Sequence, residues 1–429
     1  MTEVVPFRPL RYNLNKVRID DVVAPPYDVI SSEQQRALYQ KSPFNVVRLI
    51  LGLPEGEKSW HPIASRTKKH WEKEGILQRE LEPSFFLYRQ DYRFEGKEKS
   101  LIGFLGLVRL KPWGEGIYPH EKTLSKPKED RFQLMLHCRA NLCPIYSIYS
   151  DPDHEMEKGL VQFLSDRPLV DFVDHGENVR HRVWKTSDPQ RVDRLRRQLE
   201  AKDLFVADGH HRYETALRYR DHIESSGERV SPNGRGLHQY ILMFLTAMES
   251  PGITLLPTHR LLKKVPSWDA KEFLKKAENW FEVKPFPQEH SKAAEGIRFM
   301  TSNDTQGHLL QLNFIKANSH PRWKEIPKSL QSLDLVQLEF FLFKEVLGMT
   351  PDDIAQQRYL EYVKGEEKVT EKIRNKEGVA AFLMQPPTVS QIQAVALERQ
   401  VMPQKSTYFY PKPLSGLIIN PIIPTESVA

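Results

Sequence analysis

A chain of 429 residues has the length of two or three domains, and 39% apolar with 28% charged residues describes a well-solvated globular protein. A formal charge of +6 without a long Lys/Arg block permits a small anionic ligand and gives no argument for nucleic acid as a partner. Two cysteines, Cys138 and Cys143, exclude a disulfide framework and a four-thiolate zinc site, and neither a signal-peptide pattern nor a membrane-length apolar run is visible, so a soluble, cytoplasmic protein is expected.

In chain order, Val22-Val23-Ala24 reads as a strand running into the stiff turn Pro25-Pro26-Tyr27-Asp28, where the carboxylate of Asp28 is held in place. Ser31 or Ser32 caps a helix through Glu33-Gln34-Gln35. The β-branched run 45–52 reads as a strand between Pro43 and Gly52. Residues 84–92 and 99–110 form two more, joined by a turn at Glu95-Gly96. Between Trp113 and Pro144 lies a polar stretch, then a helix reaching Arg139-Ala140-Asn141, then a strand over 145–149. Helices are expected over 155–164 and 189–200. The apolar run 240–248 is ambiguous in type, and Pro257-Thr258-His259-Arg260 reads as a polar turn.

A composition shift over 264–268 marks a boundary, which divides the chain into 1–265 and a C-terminal α/β unit, 266–429. The second part reads as helix (270–280), strand (307–314), helix (335–347), strand (379–384) and helix (389–399). An unusual segment, Met402 to Lys412, follows.

The densest concentration of chemistry is Leu204 to Leu217, L-F-V-A-D-G-H-H-R-Y-E-T-A-L. A buried-type strand ends at Asp208, Gly209 turns the chain, and a helix begins. A helix N-terminus presents unbonded N–H groups and partial positive charge to an anion. Arg212 adds a two-pronged phosphate grip, and His210 and His211 add donors or a titratable group. An anion site, for phosphate, is the expectation. Adjacent histidines diverge on a helix, so zinc is not expected there. H-E-x-x-H, P-loop, Rossmann and serine-hydrolase patterns are all absent.

Two further segments carry suitable groups. His120-Glu121-Lys122-Thr123, with Lys126, Lys128, Glu129, Asp130, Arg131, Arg139 and Asn141, supplies the cations and carboxylates that phosphoryl transfer needs, or else a solvated, salt-bridged loop and helix. Lys405-Ser406-Thr407 offers a cation and two hydroxyls for a phosphate or a small zwitterion, or an exposed edge strand.

The order of D-G-H-H-R-Y-E-T-A at 208–216, V-A-P-P-Y-D-V-I-S at 23–31, P-H-E-K-T at 119–123, K-E-D-R at 128–131, R-A-N at 139–141 and P-Q-K-S-T-Y-F-Y-P-K at 403–412 resembles a bacterial and archaeal family catalogued as a domain of unknown function. The G-H-H-R-Y-E core is similar to the nucleotide-phosphate motif of the ParB/sulfiredoxin superfamily, which includes kinases that phosphorylate free L-serine. The resemblance implies an α+β fold, a mixed α/β arrangement with a ParB/sulfiredoxin-like core, a large N-terminal elaboration and a smaller C-terminal α/β unit. It further implies a Mg²⁺-dependent phosphotransferase acting on a small hydroxylated metabolite, free L-serine first, with ATP, ADP or pyrophosphate as donor. Gly209, His210, His211 and Arg212 would hold the donor, and Lys122, Lys128, Arg131 and Arg139 would offset developing charge.

Glu121, Asp28, Asp208 and His210 are the catalytic candidates, with Glu121 first as base and Asp208 and Glu121 as metal ligands. Asn141, Lys405, Ser406 and Thr407 are the candidates for the acceptor. His210 stands where sulfiredoxin carries its cysteine, which argues against sulfinic-acid reduction. The alternatives are a phosphohydrolase on the same anion site and a non-catalytic nucleotide- or phosphometabolite-sensing module. Expected partners are the substrate and the donor, with neither nucleic acid nor a membrane, and a homo-oligomer is open.

Overall fold

In the computed structural model, every residue is described except 1, 54–58, 122–124, 166, 267, 287–294, 303 and 429, and the side chains of 125–127, 165 and 304–306. The fold is mixed α+β and forms two compact units. The first comprises Met1–Pro119, Thr123–Thr254 and Pro411–Ala429, and the second His120–Lys122 and Leu255–Tyr410. A single cut at residue 265 gives a simpler division than this, because the chain passes between the units more than once.

The first unit is built on a nine-stranded mixed sheet. Its order is Ile117–Tyr118, Leu204–Asp208, Ile145–Tyr149, Tyr240–Ala247, Lys97–Arg109, Phe85–Phe94, Val179–Thr186 and Val170–Asp174, with Val4–Val5 also paired to Lys97–Arg109. The long hairpin closes with Phe94 opposite Lys97, and its two turn residues, Glu95 and Gly96, have φ of +48° and +78°. Positive φ at both positions matches the twist of the flanking strands. The run 240–248 resolves as the strand Tyr240–Ala247, in which every residue is buried, so no period-two alternation was there to be read. Ser31 caps the helix Ser32–Lys41 in a reciprocal capping box with Gln34.

Two expected strands are absent. Val22 ends a short helix, Ile19–Val22, and Ala24 makes only an isolated bridge to Ser415. Residues 47–50 are also helical. Asn45 explains both. Its Nδ2 donates to the carbonyls of Asp21 (2.8 Å) and Val23 (3.1 Å), and its Oδ1 accepts from Val47 N at 2.9 Å. The amide thus takes up backbone groups that a sheet ladder would have used. Val47, Leu49 and Ile50 are fully buried, and such a short apolar run suits helix and strand equally.

The second unit is a six-stranded antiparallel sheet in the order Phe281–Pro285, Asp304–Leu312, Ile297–Thr301, Ala380–Leu383, Thr258–Leu262 and Leu360–Lys364. The expected turn at 257–260 is instead the start of strand Thr258–Leu262, with His259 and Arg260 both buried. The expected helix over 335–347 begins as one α-turn, Asp334–Gln337, and widens to a π-helix over Leu338–Val346. That wider turn accompanies the burial of Phe340, Phe341 and Phe343. Among the described residues, no helix is long and apolar enough to cross a membrane.

Candidate anion site at the head of a helix

The signature folds as its residues dictate. Leu204–Asp208 is a strand between Ile117–Tyr118 and Ile145–Tyr149, with a register irregularity between Val206 and Asp208. Helix His210–Ser225 follows, capped by Gly209 at φ +104°. A Cβ at position 209 would lie 3.0 Å from Cζ, Nε and Nη2 of Arg212, so the turn needs glycine for its backbone angle and for space. The helix buries Tyr213, Ala216, Tyr219 and Ile223, a three-to-four-residue stripe, and the head of the helix stays at the strand end.

Arg212 folds back over its own N-terminus. Its Nη2 donates to Asp208 Oδ2 and its Nη1 to the carbonyl of Pro144. Lys412 donates to the other carboxylate oxygen, Asp208 Oδ1, and its carbonyl accepts from Gln90 Nε2 at 3.0 Å. The side chains of Arg212 and Lys412 are only 9% and 7% exposed. Burial opposes the charge on Arg212, but Asp208, Cys143, Asp28 and Tyr27 outweigh it and hold the guanidinium above its ordinary pKa. Two buried cations therefore converge on one carboxylate at the positive end of a helix. Lys412 closes the 403–412 motif, and it, not Lys405, is the cation of that motif that reaches Asp208.

Trp113, which no motif in the sequence marks, also packs at the head of this helix. Its ring stacks on Tyr213 at 4.2 Å, lies 6.4 Å from the His210 ring, and its Nε1 donates to Glu214 Oε1 at 3.4 Å. His210 is buried and His211 half-buried.

The other expected residues have separate roles. Lys128 pairs with Glu214 of the signature helix. Arg131 donates to the carbonyl of Ile50 at 2.7 Å, pairs with Asp130, and lies 4.0 Å over the Tyr27 ring. Arg139, at φ +47°, is half-exposed and forks onto Glu228, with Nη2 3.1 Å from Oε2. Asn141 is buried, and its Oδ1 accepts from Asn420 Nδ2 (2.9 Å) and Leu242 N (3.3 Å). Asp28 is exposed on the one-turn helix Tyr27–Val29. Lys122 lies outside the described residues.

Arg131, Asn141, Cys143, Arg212, Thr215 and Tyr27 share the lining of a cavity of about 40 Å³. Burial pushes the thiol of Cys143 up, so it stays protonated, and Ser415 Oγ donates to it at 2.9 Å.

Glu121, Lys405, Ser406 and Thr407 belong to the second unit, where the 119–123 and 403–412 motifs meet. Glu121 bridges to Met402 and its Oε1 accepts from Lys405 N at 2.8 Å. His120 Nε2 lies 2.8 Å from Thr407 Oγ1, and Ser406 Oγ donates to the carbonyl of Pro403.

Asp208 is not placed as a ready ligand for a resident magnesium ion. Both oxygens of Asp208 hold cations, and no cluster of three His, Cys, Asp or Glu residues suited to a metal occurs among the described residues.

The chain belongs to the family described as protein of unknown function (DUF1015), whose model matches residues 4–336. No curated protein matches it. Among solved structures it is similar to a free serine kinase in complex with AMP, with TM-score 0.37, 12% identity, and coverage of 71% of this chain and 86% of that one. A conserved hypothetical protein from Pyrococcus furiosus gives 0.35, 12%, 75% and 94%. SbnI from Staphylococcus aureus, truncated at its C-terminus, gives 0.34, 11%, 73% and 86%. Likeness at this level carries no function to this chain.

Proposed function

We propose that this protein is a phosphotransferase that seats the phosphates of its donor at the head of helix His210–Ser225 and transfers a phosphoryl group to a small hydroxylated metabolite, free L-serine first. The reading rests on one observation: Arg212 and Lys412, both more than nine-tenths buried, converge at a glycine-capped helix N-terminus. Such a cluster favours a multiply charged anion, since dipole and cations act together in a poorly solvated place. The motif resemblance to the ParB/sulfiredoxin superfamily supplies the reaction class. Any magnesium would arrive with the donor phosphates.

A second reading has its own support. Asp208 is held by a cation on each oxygen, so its charge orients Arg212 and Lys412, which suits a group that binds more than one that takes a proton. A binding module without turnover is built in that way.

Phosphorus NMR on the full chain with Mg²⁺, L-serine, and ATP, ADP or pyrophosphate in separate tubes decides. A phosphomonoester requiring both serine and one donor establishes the kinase. Orthophosphate without an ester assigns a phosphohydrolase, and saturable donor binding without turnover assigns the sensing module. Arg212→Ala with undiminished donor binding and turnover would remove the site itself, because loss of such a clamp costs on the order of 2–4 kcal/mol.

A further inference from the structure

Within the second unit lies a separate cavity of about 420 Å³, lined in part by Thr258, Arg260, Glu295, Asp334, Gln337 and Ser406. That volume is in the range of small-metabolite sites. Arg260 is only 1% exposed. Its Nη1 donates to the carbonyl of Thr258 and its Nη2 to the carbonyls of Gln404 and Lys405, at 3.1 Å each, while Nε has no partner. The Tyr362 ring lies 4.5 Å from the guanidinium carbon. Among the described ion pairs, none includes Arg260. A guanidinium buried so completely without a carboxylate in direct ion-pair contact is costly, and natural sites of this kind receive an anion.

Acids line the same cavity elsewhere. Burial, and then the neighbouring charge of Glu295, raise the Asp334 carboxyl to about 6. Tyr362, Glu339 and Glu121 are the groups that act on Arg260, while Asp334 and Glu295 line the same cavity with it. A phosphate or other multiply charged anion would meet these acids as well as the arginine. A ligand carrying one charge of each sign meets neither problem.

We propose that this cavity binds a small zwitterion of the amino-acid class, its carboxylate on Arg260 and its ammonium at Asp334 and Glu295. The site is independent of the phosphotransferase reading, because nothing in it requires a phosphoryl donor.

The test is a thermal-shift screen of the full chain against the twenty L-amino acids without any nucleotide, followed by calorimetry on those that stabilise it. At least one should bind with one-to-one stoichiometry, and its carboxamide, which lacks the anionic end, should bind on the order of 30-fold more weakly. Arg260→Gln should show a similar loss. Asp334→Asn, at a half-buried position that tolerates substitution better, should weaken the amino acid while leaving its deaminated carboxylic acid unchanged. If no amino acid binds, or if Arg260→Gln and Asp334→Asn bind it as tightly as the wild type, the proposal is overturned. Should Arg260→Gln fail to fold, Asp334→Asn decides alone.

Discussion

Lys412 and Asp208 lie 204 residues apart in sequence, yet the ammonium of one is bonded directly to Oδ1 of the other. Arg212 occupies Oδ2, so one carboxylate joins the signature strand, its own helix and the C-terminal segment. Removing the middle of a buried triad leaves two uncompensated cations, whereas removing one end leaves a pair. Asp208→Asn should therefore cost about 3–5 kcal/mol and Lys412→Met clearly less. Urea unfolding of both variants measures the difference, and a cost for Asp208→Asn below that of Lys412→Met would contradict the shared-carboxylate account.

Gly209 makes a second prediction, on binding as much as stability. Gly209→Ala places a non-glycine residue at φ +104° and a methyl group 3.0 Å from the Arg212 guanidinium. Backbone strain of this kind costs about 1–3 kcal/mol, and the guanidinium must shift as well. The variant should fold with reduced stability and lose affinity for inorganic pyrophosphate by calorimetry. Wild-type affinity in a protein shown to be destabilised would separate the turn from the anion site.

What was legible in the sequence follows from locality. Asp208, Gly209 and the helix after them are neighbours in the chain, so strand, turn and cap could be read from adjacent residues. The two-residue turn at Glu95-Gly96 was legible for the same reason. Lys412 was not, because its significance lies in a contact formed only when the terminal segment returns to the first unit. The helix within 45–52 was not legible for a different physical reason: the Asn45 side chain bonds Val47 N and the carbonyls of Asp21 and Val23, which an apolar pattern does not reveal. His259-Arg260 read as a polar turn because burying an arginine outside a direct ion pair contradicts the ordinary rule. Departures of this kind mark places where composition and structure conflict, and they are where sites concentrate.

Two buried histidines set an acid limit on stability. Burial holds His181 at about 3 against an ordinary 6.5, with its Nδ1 2.7 Å from Tyr88 OH, and burial likewise holds His259 at about 4. Both folded pKa values are depressed, so the unfolded chain takes up protons first as pH falls. Their contribution is complete above about pH 6.5 and is lost progressively toward the folded values. Each histidine should add up to ~1.4 kcal/mol per pH unit of destabilisation across that window. Urea midpoints between pH 7 and 5 should show the slope, and His181→Gln should remove one proton's worth. An unchanged slope in the variant would mean that His181 is protonated in the folded protein.

Thr215 gives the last prediction. It is 1% exposed and its Oγ1 has no hydrogen-bond partner; neither has Nδ2 of Asn141, whose orientation is fixed because its Oδ1 already accepts two bonds. Both residues line the cavity of about 40 Å³ beneath Arg212, which has room for a water-sized occupant. An unsatisfied buried hydroxyl opposes folding, and a methyl group of similar shape has no such requirement. If the cavity is dry, Thr215→Val should be neutral or stabilising by ~1 kcal/mol in urea unfolding, since only a desolvation cost is removed. If an ordered water joins Thr215 to Asn141, the same substitution should cost about 1–3 kcal/mol, because the amide and the water lose their partner. The sign of that one measurement tells whether the space under the anion site is an apolar gap or a hydrated part of it.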